Sequence, residues 1–113
     1  MTQFVGTHIF LNVYDVPTAL LHSLENGKPI CDQIVRELDL HIVGEVTHQF
    51  QPYGYTLLYL LSESHFSIHT YPEYQSCYID IFCCNKQFRA EKAVSLIRTL
   101  FETNHVSFHV MSR

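Results

Sequence analysis

The chain has 113 residues, 47% hydrophobic and 13% aromatic, with seven Lys and Arg against eleven Asp and Glu and a formal net charge of −4. That length supports one hydrophobic core and not two, and the composition is that of a folded domain rather than a disordered chain. The acidic balance, with no Lys/Arg run, excludes a basic nucleic-acid face, and no apolar run reaches the roughly 18–20 residues of a membrane span.

Met1-Thr2-Gln3 opens no signal peptide. Cys31, Cys77, Cys83 and Cys84 form no CxxC pair, and the adjacency of the last two argues against a disulfide framework. Reduced thiols in a cytoplasmic protein are the expectation.

Residues 7–14 alternate Ile9, Leu11 and Val13 against His8, Phe10 and Asn12, which predicts a strand with one buried face. Asp15 and Pro17 then signal a helix start, with Leu20, Leu21 and Leu24 as a short apolar stripe. Asn26-Gly27 predicts its end, and Pro29 a second helix carrying Ile30, Ile34, Val35 and Leu38 at helical spacing. Residues 41–51 read as a second strand and 55–62 as a third, joined by a Pro52-Tyr53-Gly54 turn. The third strand is apolar on both faces, so both sides are expected to be covered.

Residues 67–71 predict a fourth strand, stopped by Pro72, and 76–84 a fifth. On the fifth, Cys77, Ile79, Ile81 and Cys83 share one face, while Tyr78, Asp80, Phe82 and Cys84 share the other. Cys83 therefore reads as core and Cys84 as facing the more polar side. Residues 89–101 predict an amphipathic helix through Ala93, Leu96, Ile97, Leu100 and Phe101, stopped at Asn104. Residues 106–111 close the chain as a strand. Short connections favour antiparallel neighbours, so the expected fold is α+β: a two-layer α/β sandwich with one mostly antiparallel sheet and helices on one face.

The chemistry concentrates in residues 61–74, which crowd Ser, His and Glu between two strands. A zinc site from His65, His69, Cys83 and Cys84 fails on spacing: the histidines sit roughly 13 Å apart on a strand and adjacent cysteines face opposite ways. No metal is expected. Ser64 lacks the G-x-S-x-G elbow of a hydrolase nucleophile. From residue types alone, turn or strand serines and buried thiols outweigh a catalytic role for this run.

The run Glu63-Ser64-His65-Phe66-Ser67-Ile68-His69-Thr70-Tyr71-Pro72-Glu73-Tyr74, followed by Ile79-Asp80-Ile81-Phe82-Cys83-Cys84, resembles the small prokaryotic class of S-adenosylmethionine decarboxylase. Pro52-Tyr53-Gly54 and Gly6-x-His8 fit the same pattern. The resemblance spans most of the chain and is weak through residues 15–45. It implies self-cleavage between Glu63 and Ser64 into a 1–63 β chain and a 64–113 α chain. Ser64 would become a covalent pyruvoyl cofactor that forms a Schiff base with the substrate amine. His69 would be the processing base, Cys84 the proton donor and Thr56 a processing aid. Glu73 would hold ribose hydroxyls, with Phe50 and Tyr71 stacking on the adenine or shaping the pocket. The resemblance further implies a homodimer of processed protomers and a role in polyamine synthesis, while charge and hydropathy give a cytoplasmic location and no nucleic-acid or membrane partner.

Departures from the family pattern fall at Tyr55 and Leu57, and at Gln75-Ser76-Cys77. They predict bulkier pocket walls, which opens the alternative of a same-family enzyme acting on ornithine or arginine. A third reading is an unprocessed, non-catalytic paralogue, against which intact Ser64, His69 and Cys84 argue.

Overall fold

A computed structural model describes residues 3–113; Met1 and Thr2, where the absence of a signal peptide was read, lie outside the described residues. Six antiparallel strands form one sheet: β1 Thr7–Val13, β2 Ile42–Gln49, β3 Tyr55–Leu61, β4 Ser64–Tyr71, β5 Ser76–Cys83 and β6 Val106–Ser112. Their order across the sheet is β2-β3-β4-β5-β1-β6. Helices α1 Ala19–His22, α2 Leu24–Glu37 and α3 Ala90–Leu100 supply the second layer. The two-layer α+β sandwich expected from the alternations is the architecture found.

The core lies between sheet and helices. Ile9, Leu11 and Val13 of β1, Phe66 and Ile68 of β4, and Ile79 and Ile81 of β5 meet Leu21, Ile34, Ala93, Val94 and Ile97 of the helices. Among the described residues, the opposite face of the sheet has no layer of its own. Registered pairs run straight across it: Val46, Leu58, Ser67, Asp80, Phe10 and His109 form one row, and Gly44, Leu60, His65, Phe82, His8 and Met111 the next.

Three expectations are corrected. Asn26-Gly27 does not end a helix; α2 starts at Leu24 and runs through Gly27 and Pro29. Ser23 caps it, in extended conformation, with its side chain accepting the Asn26 N–H. The fourth strand starts at Ser64 rather than residue 67, because Leu61 and Ser64 pair across a two-residue hairpin turn. Finally, β3 is covered on one face only: Leu57 and Tyr59 are core, while Leu58 and Leu60 remain 43% and 60% exposed. At the end of α3, the left-handed residue is Glu102 at φ 56°, ahead of Asn104.

Candidate active site

The Glu63–Ser64 step sits at the tip of the β3–β4 hairpin, beside the end of β5. Ser64 has φ 145°, a region that an L-residue with a Cβ enters at a cost of about 1–3 kcal/mol. The Glu63 carbonyl oxygen accepts the Cys84 N–H at 2.9 Å. The Glu63 carboxylate accepts the His41 N–H at 3.0 Å and lies 2.7 Å from His41 Nδ1. Burial alone would raise the Glu63 pKa, but the bonds from His41 outweigh it and hold the carboxyl below the ordinary 4.5.

Strand alternation decides the two adjacent thiols. Cys83 pairs with Ser64 and is buried on the helix face; burial pushes its thiol pKa up, which keeps it protonated and inert. Cys84 is exposed, as the alternation predicted. It lines a 240 Å³ hollow with Phe4, Val5, Gly6, Lys86 and Phe88. Phe4 and Val5 precede the first periodic segment, so no pattern in the sequence marked them.

A second group gathers at the other end of β3 and β4. Phe50, Thr56, His69, Tyr71 and Glu73 all line one 430 Å³ cavity, together with the Pro52–Gly54 turn. Thr56 and His69 are registered partners, with Thr56 Oγ1 and His69 Nδ1 3.2 Å apart. Gly54, at φ 103°, shapes the turn and accepts the Phe50 N–H through its carbonyl at 2.8 Å. Tyr71 stands edge-on to Tyr78, with ring centroids 5.6 Å apart.

The sequence-predicted residues therefore form two groups and not one. Ser64 and His69 are five positions apart on β4, about 16 Å at roughly 3.3 Å per residue. No rotamer of His69 spans that distance. Within one chain, Glu63, Ser64 and Cys84 are out of reach of Phe50, Thr56, His69, Tyr71 and Glu73.

The positions expected to narrow the pocket do not line this cavity. Tyr55, Leu57 and Cys77 are fully buried on the helix side of the sheet. The Tyr55 hydroxyl donates to the Leu20 carbonyl at 3.0 Å beneath Gly27. Ser76 is buried with its hydroxyl 3.4 Å from that of Tyr78, and Gln75 takes the left-handed turn at φ 53° after Pro72. The bulkier pocket walls are thus corrected at Tyr55, Leu57 and Cys77: parity on β3 and β5 sends these three side chains into the core.

A cluster the sequence did not assemble lies on the open face. Asp80 accepts from Ser67 and from His8 Nε2 at 2.7 Å, with His65 Nε2 3.5 Å away. The bonds from Ser67, His8 and His65 outweigh the burial that would raise the Asp80 pKa, and hold its carboxyl below the ordinary 3.8. Arg113 Nη1 is 3.1 Å from His8 Nδ1. A guanidinium only donates, so Nδ1 accepts and the His8 proton sits on Nε2, facing Asp80. His65 joins this cluster while His69 stays with Thr56.

A model of the S-adenosylmethionine decarboxylase family matches residues 7–113. The chain belongs to that family. An S-adenosylmethionine decarboxylase proenzyme of Archaeoglobus fulgidus is 38% identical over 111 residues, covering 98% of this chain and 99% of that one. One of Picrophilus torridus is 34% identical, covering all of this chain and 87% of its own. The crystal structure of the adenosylmethionine decarboxylase from Aquifex aeolicus superimposes with a TM-score of 0.90 at 28% identity, over 99% of this chain and 92% of that one.

Proposed function

We propose that this chain is a pyruvoyl-dependent S-adenosylmethionine decarboxylase that cleaves itself between Glu63 and Ser64 and acts as a homodimer with sites shared between protomers. The observation that carries the reading is the separation of the two residue groups along β4. Each chain holds one end of a site and the complementary end of another.

A second copy resolves the separation. Phe10, Val46, Leu58, Leu60 and Tyr78 leave an apolar, uncovered face on the sheet. Stacked sheets lie about 10 Å apart with side chains interdigitating. A two-fold axis lying between the sheets and crossing the strands lays the Ser64 end of one β4 over the partner's His69. The face is the same patch on both copies, as an isologous interface requires.

The Ser64 hydroxyl then attacks the Glu63 carbonyl carbon. A C–O bond forms, the C–N bond breaks, and the hydroxyl proton passes through the partner's His69 to the freed amine. The Cys84 N–H points at the oxygen on which charge develops. Loss of the α-proton of residue 64 expels the Glu63 carboxylate, and water releases ammonia. The strained φ of Ser64 and its place in a tight hairpin fit a bond built to be broken. The pyruvoyl group supplies a ketone that takes up electrons as CO₂ leaves the substrate.

Cys84, exposed beside residue 64, is the donor that returns a proton to the substrate α-carbon. Glu73 holds the ribose hydroxyls, and Phe50 and Tyr71 flank the adenine in the cavity they line together. Ornithine or arginine was favoured only by bulk at Tyr55, Leu57 and residues 75–77, and that bulk is in the core or on the turn. The decarboxylated product would supply aminopropyl groups for spermidine. Among the described residues, no helix is long and apolar enough to cross a membrane, and we place the protein in the cytoplasm.

Intact mass spectrometry tests the processing step: two fragments are expected, the C-terminal one lacking a free amine. A single chain of 13.2 kDa would mark an unprocessed paralogue. Release of CO₂ from carboxyl-labelled S-adenosylmethionine, ornithine and arginine tests the substrate, and silence with the first sinks the assignment. Cys84→Ala should be cut normally and then decarboxylate poorly.

A further inference from the structure

We propose that His41 is a positioning residue for self-cleavage, holding the Glu63 side chain so that the carbonyl to be attacked stays fixed. The proposal rests on the reading that the chain cuts itself at Ser64.

Residues 62 and 63 are a two-residue turn, and such a tip has few neighbours to restrain it. His41, at the entry to β2, makes three bonds to it. Its N–H donates to Glu63 Oε1 at 3.0 Å, its Nδ1 lies 2.7 Å from Oε2, and its carbonyl accepts the Ser62 N–H at 2.9 Å. A carboxylate only accepts, so Nδ1 carries the proton. The Glu63 side chain is 14% exposed although that of His41 is 71% exposed. The acid is thus drawn in against the fold and the imidazole covers it.

The consequence follows from chain connectivity. With its carboxylate pinned at both oxygens, Glu63 cannot rotate freely, and its carbonyl oxygen stays on the Cys84 N–H at 2.9 Å. Intramolecular attack depends steeply on such alignment. A freely turning Glu63 would swing the carbonyl off that donor and away from the Ser64 hydroxyl. His41 and Glu63 both fall in the 1–63 fragment, so the clamp also survives the cut. It then holds the new C-terminus where the scissile carbonyl had been.

The time course of cleavage in freshly synthesised full-length chain, read as the fraction cut, tests the clamp. His41→Ala is expected to cut on the order of ten-fold slower than wild type, the usual scale for losing one charge-assisted hydrogen bond. His41→Asn, whose amide N–H reaches the position of Nδ1–H, should recover most of the rate. Adding His41→Ala to Glu63→Ala should slow cleavage little further, because both remove the same bond. Melting temperatures of the uncut Ser64→Ala chain with and without His41→Ala should agree within a few degrees. Wild-type speed in His41→Ala, failure of Asn to restore it, or a slowing matched by lost stability each overturns the clamp. Those results leave self-cleavage itself standing. A wild-type chain that never cuts overturns both readings.

Discussion

The hydroxyl of Tyr55 occupies the space that a β-carbon on Gly27 would need: an added methyl there would lie 1.9 Å from that oxygen and 2.1 Å from the ring carbon bearing it. A glycine one turn into α2 costs about 1 kcal/mol of helix propensity. It is kept because a buried tyrosine runs beneath it to reach the Leu20 carbonyl.

Gly27→Ala should therefore destabilise the fold by about 2 kcal/mol or more, although alanine is the better helix former. Denaturant unfolding of the uncut Ser64→Ala chain measures it. Pairing it with Tyr55→Val should be markedly less than additive, since the valine vacates the contested space. Equal stability of Gly27→Ala and its parent would mean that Tyr55 can move aside.

Strain at Ser64 has its own signature. Ser64→Gly and Ser64→Ala both leave the chain uncut, but only glycine accepts φ 145° without penalty. The glycine form is expected to be more stable by about 1–3 kcal/mol, whereas glycine in an ordinary strand would be the weaker residue. Thermal melts of the two proteins, run side by side, decide it. A less stable glycine form would show that the turn stores no strain.

The proposed shared site makes a complementation prediction. Ser64→Ala chains keep His69 and cannot be cut; His69→Ala chains keep Ser64 and are cut slowly alone. Co-expressed, the His69→Ala chain should be cut at a rate well above its own, because the partner's His69 comes from the Ser64→Ala copy. A charge on the uncovered face, such as Leu60→Asp, should lower both dimer content and cutting in the wild-type background. Sedimentation velocity and fragment mass read the two effects. Rapid cutting in a monomeric Leu60→Asp chain would end the two-copy site.

Asp80 predicts an acid limb. Its folded pKa lies below the ordinary 3.8, so ionised Asp80 stabilises the fold above that value and the contribution is lost as pH falls through the folded pKa. In the uncut chain, Asp80→Asn should lower the melting temperature near neutral pH, and the gap to the parent should narrow below about pH 4. A gap constant from pH 7 to pH 3 would remove Asp80 from the acid response.

Much of this protein is legible without a structure because strands have a period of two. Alternation in β1 and β5 named the core faces, and it separated buried Cys83 from exposed Cys84. The central run was specific enough to place the family.

The sequence misled where a local signal served a distant contact. Asn26-Gly27 and Pro29 resemble helix punctuation, yet Gly27 answers to Tyr55 and the helix runs on. Tyr55, Leu57 and Cys77 looked like pocket walls because they flank pocket residues, and one step of parity turns them into the core.

Residue identity and period determined the fold class and the buried face, and the central motif placed the family. Only tertiary structure decided that His41 grips Glu63, that His8 and Asp80 meet, and that His69 stands a strand's length from Ser64. The physical reason is that side-chain parity is a local property of a strand, whereas reach depends on register between elements far apart in the chain. On one rigid strand, that register keeps the two groups about 16 Å apart within a chain.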